Sequence, residues 1–282
     1  MASVERNALV STDWLAQHLN APDIRVVDAT YTLPTMNRNP RAEYQEAHIP
    51  GAVFFDIDDI ADEKNGLPHM VPDAAKFSSR VRKLGLGDGV RIVCYDNNRF
   101  SASARAWWMF RMFGHDDVVV LDGGFGKWRA DGHPVDDHPV TPTERHFTAR
   151  KNNLLYRDLD QIRAHVVNPS EQLLDARSAG RFRGEDVEPR AGMRSGHIPH
   201  SLNLPYTELV APDGRFLPVE TLSERFAEAG IDPRKPIVTT CGSGVTACTL
   251  ALALHQLGLP DVAIYDGSWT EWGGRADTPI ET

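Results

Sequence analysis

The chain has 282 residues, 41% hydrophobic and 24% charged, with a formal net charge of −9. Its length suits about two domains of ~150 residues, no apolar run reaches the ~18 residues of a membrane span, and the acidic balance argues against a nucleic-acid ligand, which calls for a basic patch. Three cysteines (Cys94, Cys241, Cys248) are too few for a disulfide framework, and no Cys or His pair has the spacing of a closed zinc site; with no signal-peptide pattern at the start, they predict a reduced, cytoplasmic protein.

In chain order, the first half offers an apolar strand over 24–29, the run Ala47-His48-Ile49-Pro50-Gly51-Ala52, a strand over 91–96 and the turn Leu121-Asp122-Gly123-Gly124 followed by Trp128. A stretch rich in Pro, His, Asp and Thr (131–151) reads as a linker. The second half then repeats the first. Strands are predicted at 172–175, 203–204, 237–240 and 262–265, and helices at 221–229 and 245–257, the latter stopped by Gly258. Gly196-His197-Ile198-Pro199-His200-Ser201 matches 47–52, and Tyr265-Asp266-Gly267-Ser268 with Trp272 matches the turn with Trp128. Four such matches keep their order at offsets of 144 to 149 residues, which chance does not produce. The division that follows is an N-terminal domain over 1–138, a linker over 139–153 and a C-terminal domain over 154–282. Alternating strands and helices predict an α/β fold with mostly parallel sheets, in which ligands sit beyond the carboxyl ends of the strands.

At one such end stands Cys241-Gly242-Ser243-Gly244-Val245-Thr246, between a buried strand and a helix. The two glycines free the backbone to curl, and a strand-to-helix turn presents a row of N–H donors that stabilises an anion, the useful form of a thiol. Cys94, in mid-strand, and Cys248, among Ala247, Leu250, Ala251 and Leu252, read instead as small buried hydrophobes. Where the second half has Cys241, the first has Asp96, followed by Asn97-Asn98-Arg99-Phe100 without a glycine. Only the second half therefore offers a nucleophile. A phosphatase loop would need an arginine six residues on, where Ala247 stands. A cysteine protease would need a histidine base, and no local pattern selects one of the eleven histidines.

The duplicated domains, the His-Ile-Pro repeat, the Asp-Gly-Gly and Asp-Gly-Ser turns with their tryptophans, and the cysteine loop resemble the rhodanese superfamily across nearly the whole chain. The loop is similar to that of the 3-mercaptopyruvate sulfurtransferases; rhodaneses that use thiosulfate carry Arg and Lys at the positions of Gly242 and Ser243. The resemblance implies two tandem rhodanese-like domains, each a mostly parallel sheet flanked by helices. It implies that sulfur passes from 3-mercaptopyruvate through a Cys241 persulfide to thioredoxin, a small thiol or cyanide, with release of pyruvate. The outer sulfur would be cradled by Gly242, Ser243, Gly244, Val245 and Thr246. Arg181 and Arg190 would bind the donor's carboxylate and keto oxygen, a task that suits the planar guanidinium fork. Arg177, Arg183 and Arg194 receive no assignment. Asp58, His69 and Ser243 would form a relay that moves the proton, while His48 and His197 brace loops. The expected enzyme uses no metal or organic cofactor and acts as a monomer. The other readings are a thiosulfate:cyanide sulfurtransferase, which would want cations beside the sulfur of its dianionic donor, and a persulfide carrier with little turnover.

Overall fold

Among the described residues, 7–282, the computed structural model forms two separate five-stranded sheets. The first contains β1 (Leu9–Val10), β2 (Ile24–Asp28), β3 (Val53–Phe54), β4 (Arg91–Tyr95) and β5 (Val118–Leu121), in the order β1-β5-β4-β2-β3. The second contains β6 (Tyr156–Arg157), β7 (Gln172–Asp175), β8 (Leu202–Asn203), β9 (Ile237–Thr240) and β10 (Ala263–Tyr265), in the order β6-β10-β9-β7-β8. The two orders are the same permutation, and every registered pair is parallel. Parallel pairing requires a crossover, supplied here by the intervening helices, and it buries both faces of a strand. That is why β5 (Val-Val-Val-Leu) and β9 (Ile-Val-Thr-Thr) are buried at every position instead of alternating.

The repeat extends to its tryptophans. Trp128 donates its indole N–H to Pro134 O at 2.7 Å, and Trp272 donates to Pro279 O at 2.7 Å, so each half fastens the segment after its last helix in the same way. A buried indole needs such an acceptor, since an unpaired polar group is costly to bury. The helix expected over 245–257 is Ala247–Gln256, and that expected over 221–229 is Val219–Glu228. The edge strands β1 and β6 were not expected from the sequence, because two residues are too short to show a period. No helix among the described residues is long and apolar enough to cross a membrane.

The chain divides into two units whose make-up departs from two contiguous halves. The first holds the described residues up to Asp62 with Val71–Asn152 and Ala211–Phe216; the second holds Glu63–Met70, Asn153–Val210 and Leu217–Thr282. Each half thus lends one short segment to the other unit. The stretch read as a linker is also bound down. Phe147 is buried and meets Phe77 edge-on at 5.5 Å, Ser78 Oγ donates to Phe147 O at 2.9 Å, and Arg150 N–H donates to Phe113 O at 2.8 Å. Its polar composition hides one aromatic anchor, and that anchor holds it to the first unit.

One strand position has been solved differently in the two halves. Asp28 ends β2 and Asp175 ends β7, and both are buried. Asp175 is paired with Arg177, whose Nη2 lies 2.7 Å from its carboxylate. The first half has Thr30 in the place of Arg177, and the Asp28 carboxylate accepts the Thr30 N–H at 2.9 Å with no cation in the arginine's place. Burial pushes the Asp28 carboxyl up to about 6. The folded state therefore keeps a proton that the unfolded chain releases from about pH 4, so stability falls as pH rises from about 4 to 6, and the ionised form costs about 3 kcal/mol above that range. Asp28→Asn keeps an acceptor for Thr30 N–H without the charge. Urea denaturation should show the variant more stable than the parent by about 1–2 kcal/mol at pH 7 and level with it near pH 4; equal curves at both values would exclude a buried charge here.

Candidate active site

Cys241 follows β9 directly and is only 2% exposed. Its backbone is held from behind by the turn after β10. Cys241 N–H donates to Ser268 Oγ at 3.2 Å, Cys241 O accepts Trp269 N–H at 2.9 Å, and Gly242 O accepts both Thr270 N–H (2.7 Å) and Thr270 Oγ1–H (2.5 Å). With its first two carbonyls engaged on that side, the loop is free to turn its N–H groups the other way. The chain then bends through Gly244 at φ 74°, a conformation that an L side chain would strain. Ser268 itself sits at φ 50°, and its hydroxyl donates to Tyr265 O at 2.7 Å.

The loop that follows Cys241 has cationic neighbours. A methyl carbon placed on Gly242 would lie 3.3 Å from Arg181 Nη2 and 3.8 Å from Arg190 Nη1, so both predicted arginines reach the first residue of the loop. Arg181 projects from the short helix Ala179–Phe182, capped by Ser178. Glu188 grips it with both oxygens, Oε1 3.2 Å from Nε and Oε2 2.5 Å from Nη2. Arg177 lies behind. It is fully buried, bonded to Asp175, to Glu188 at 2.9 Å and to Gly196 O at 2.8 Å, and stacked 4.4 Å from the ring of Trp269. Burial opposes its charge, but Asp175 and Glu188 more than restore it, so its pKa stands above the ordinary arginine value. Arg177 is therefore a brace. Arg183 pairs with Glu185 in solvent, and Arg194 is spent on the carbonyls of Trp272, Gly273 and Thr278.

His69 and Ser243 meet. Both belong to the second unit, His69 through the segment Glu63–Met70, and His69 Nδ1 is hydrogen-bonded to Ser243 Oγ at 3.0 Å. His69 is 4% exposed and held at φ 61°, a strained conformation for a histidine of the sort that marks functional positions. Asp58 lies in the first unit, exposed on the helix Ile57–Ile60. His48 and His197 make loop contacts: Nδ1 of each bonds a backbone carbonyl, of Tyr44 (2.7 Å) and Phe182 (2.8 Å), and each ring stacks on the same residue. Cys94 and Cys248 are wholly buried, and burial pushes the Cys94 thiol far up.

The first half displays what a loop of this kind does with an anion. Asp96 stands at the position of Cys241, and its carboxylate accepts four backbone N–H groups: Asn98 (2.8 Å) and Phe100 (3.2 Å) on Oδ1, Ala102 (3.1 Å) and Ser103 (2.7 Å) on Oδ2. By the register of the repeat these correspond to Ser243, Val245, Ala247 and Cys248. Arg99, at φ 55°, corresponds to Gly244. In the first half the nest closes around a charge of its own. In the second half the cysteine carries no charge-bearing oxygen to fill it.

The sequence pointed to Cys241, Ser243, His69, Arg181 and Arg190 but passed over Glu188, Arg177 and the Ser268–Thr270 turn. Glu188 sits among charged residues and looks solvated. Its only signal is the seven-residue spacing from Arg181 across a turn.

A family model described as the rhodanese-like domain matches the chain twice, at residues 11–131 and 158–275. The 3-mercaptopyruvate sulfurtransferase of Homo sapiens is 40% identical over 275 residues, covering 95% of this chain and 93% of that protein. The thiosulfate sulfurtransferase of Bos taurus is 43% identical over 282 residues, covering 98% of this chain and 94% of that protein. The crystal structure of SseA from Escherichia coli, described with the 3-mercaptopyruvate sulfotransferases, superposes with a TM-score of 0.86 at 38% identity over 93% of this chain and 99% of that one.

Proposed function

This chain belongs to the rhodanese-like domain family, and on that premise we propose that it transfers the sulfur of 3-mercaptopyruvate through a persulfide on Cys241 to a thiol, releasing pyruvate. The Cys241 thiolate attacks the donor's sulfur. The new S–S bond forms as the C–S bond breaks, and the electron pair leaves on carbon as pyruvate enolate. Arg181 and Arg190 hold the carboxylate and the enolate oxygen, and the Ser243 hydroxyl, backed by His69, delivers the proton that yields pyruvate. A thiol then takes the outer sulfur and Cys241 returns to its thiolate. Reduced thioredoxin or another dithiol resolves the product to a disulfide with release of hydrogen sulfide; cyanide gives thiocyanate.

One observation carries the choice of donor. The residue next to the nucleophile, Gly242, has no side chain, and the space a side chain would take is flanked by the guanidinium groups of Arg181 and Arg190. Cations set beyond the sulfur suit a donor whose charge is a carboxylate remote from the transferred atom. Thiosulfate carries its charge next to that atom. A pure sulfur carrier has no use for a carboxylate clamp.

The test is peptide mass spectrometry after exposure to each donor, with pyruvate measured in parallel. With 3-mercaptopyruvate the Cys241 peptide should gain the mass of one sulfur atom as pyruvate appears. Loading by thiosulfate alone would replace this reading with a thiosulfate sulfurtransferase, and loading without turnover on any small thiol would replace it with a carrier.

A further inference from the structure

The charges around the loop form an ordered series. Asp175, 1% exposed at its side chain, pairs with Arg177; Arg177 pairs with Glu188, 5% exposed; and Glu188 pairs with Arg181, which is 22% exposed and reaches Gly242. Two carboxylates and two guanidiniums cancel. Arg190 is left. Its Nη1 also reaches Gly242, and it forms no ion pair among the described residues. The five groups together carry one positive charge.

We infer that Glu188 sets the charge of the sulfur donor that the site accepts: by closing an ion pair on Arg181 it leaves a single uncompensated cation, which selects a monoanionic donor over a dianionic one. Glu188 is a positioning and charge-balancing residue and touches no reacting atom. Glu188 takes the Nε–Nη2 edge of Arg181 and leaves its Nη1 for hydrogen bonding, so Arg181 can orient an oxygen while its net charge is offset and adds little to the pull on a second negative charge. Buried and half-buried charges are poorly screened, so one added charge beside the donor changes binding of a dianion more than of a monoanion. This inference deepens the mercaptopyruvate reading and rests on it.

The experiment compares kcat/KM for thiosulfate and for 3-mercaptopyruvate in the parent enzyme, in Glu188→Gln and in Glu188→Asp. The amide keeps an acceptor for Arg177 or Arg181 but removes the charge. The ratio of thiosulfate to mercaptopyruvate efficiency should rise about tenfold or more in Glu188→Gln. Glu188→Asp should keep the parent ratio within about threefold, since one methylene leaves the charge in place. A merely structural role would lower both efficiencies together and leave the ratio still. An unmoved ratio in Glu188→Gln, or an equal shift in Glu188→Asp, overturns the inference. If Glu188→Gln does not fold, Arg190→Gln removes the uncompensated charge, and kcat/KM for thiosulfate should itself fall about tenfold or more, whatever happens to mercaptopyruvate; an unchanged or raised thiosulfate efficiency overturns the inference. A parent enzyme inactive with mercaptopyruvate would defeat the underlying reading instead, which keeps the two failures distinct.

Discussion

Cys241→Ser should abolish pyruvate release from 3-mercaptopyruvate, by about a thousandfold or more, and leave the protein folded. The oxygen cannot form the S–S bond on which transfer depends, and loss of a nucleophile is among the largest single effects known in mutant kinetics. The change is nearly isosteric, and the backbone of Cys241 is held by Ser268 and Trp269 whatever its side chain carries. The melting temperature should stay within about 4 °C of the parent. Retained turnover, or a sulfur adduct on Cys94 or Cys248 in place of Cys241, would move the nucleophile elsewhere. Both alternatives are wholly buried.

The second large effect falls on substrate affinity. Arg190→Gly should raise KM for 3-mercaptopyruvate about 10–100-fold, with a smaller change in kcat. A charge-assisted hydrogen bond to carboxylate is worth about 1.5–3 kcal/mol once water is excluded, and the donor's carboxylate is present before and during C–S cleavage, so its loss appears mainly in KM. Arg190 is the sharper choice than Arg181. Removing Arg181 would leave the buried Glu188 with Arg177 as its one remaining cation, and the result would mix lost binding with a carboxylate stripped of half its partners. Steady-state kinetics on the purified variant decide it, and an unchanged KM would take Arg190 out of the site.

The nucleophile was legible because its chemistry needs a local pattern: a cysteine after an apolar strand, with glycine on either side of Ser243. The duplication was legible because strand, turn and tryptophan recur in order. Glu188 was not, because what makes it matter is burial against Arg177, a contact across eleven residues that composition does not reveal. His69 was legible only through the family resemblance. Its sequence neighbours are ordinary, and only the assignment of Glu63–Met70 to the second unit brings it to Ser243, 174 residues away. The edge strands were missed for a different reason. Two paired residues, such as Leu9–Val10 on β5, gain their identity from the neighbour they pair with.

The occupied nest of the first half has a consequence for sulfur stoichiometry. Asp96 is joined covalently to the chain whose N–H groups surround it, so no incoming sulfur can compete for them at any concentration. That repeat is permanently self-quenched, and the capacity of the molecule is a single equivalent of transferable sulfur per polypeptide. Converting Asp96 to cysteine would supply a thiol but not a second working centre, because Arg38, which meets that turn at Asn98, is already paired with Glu43.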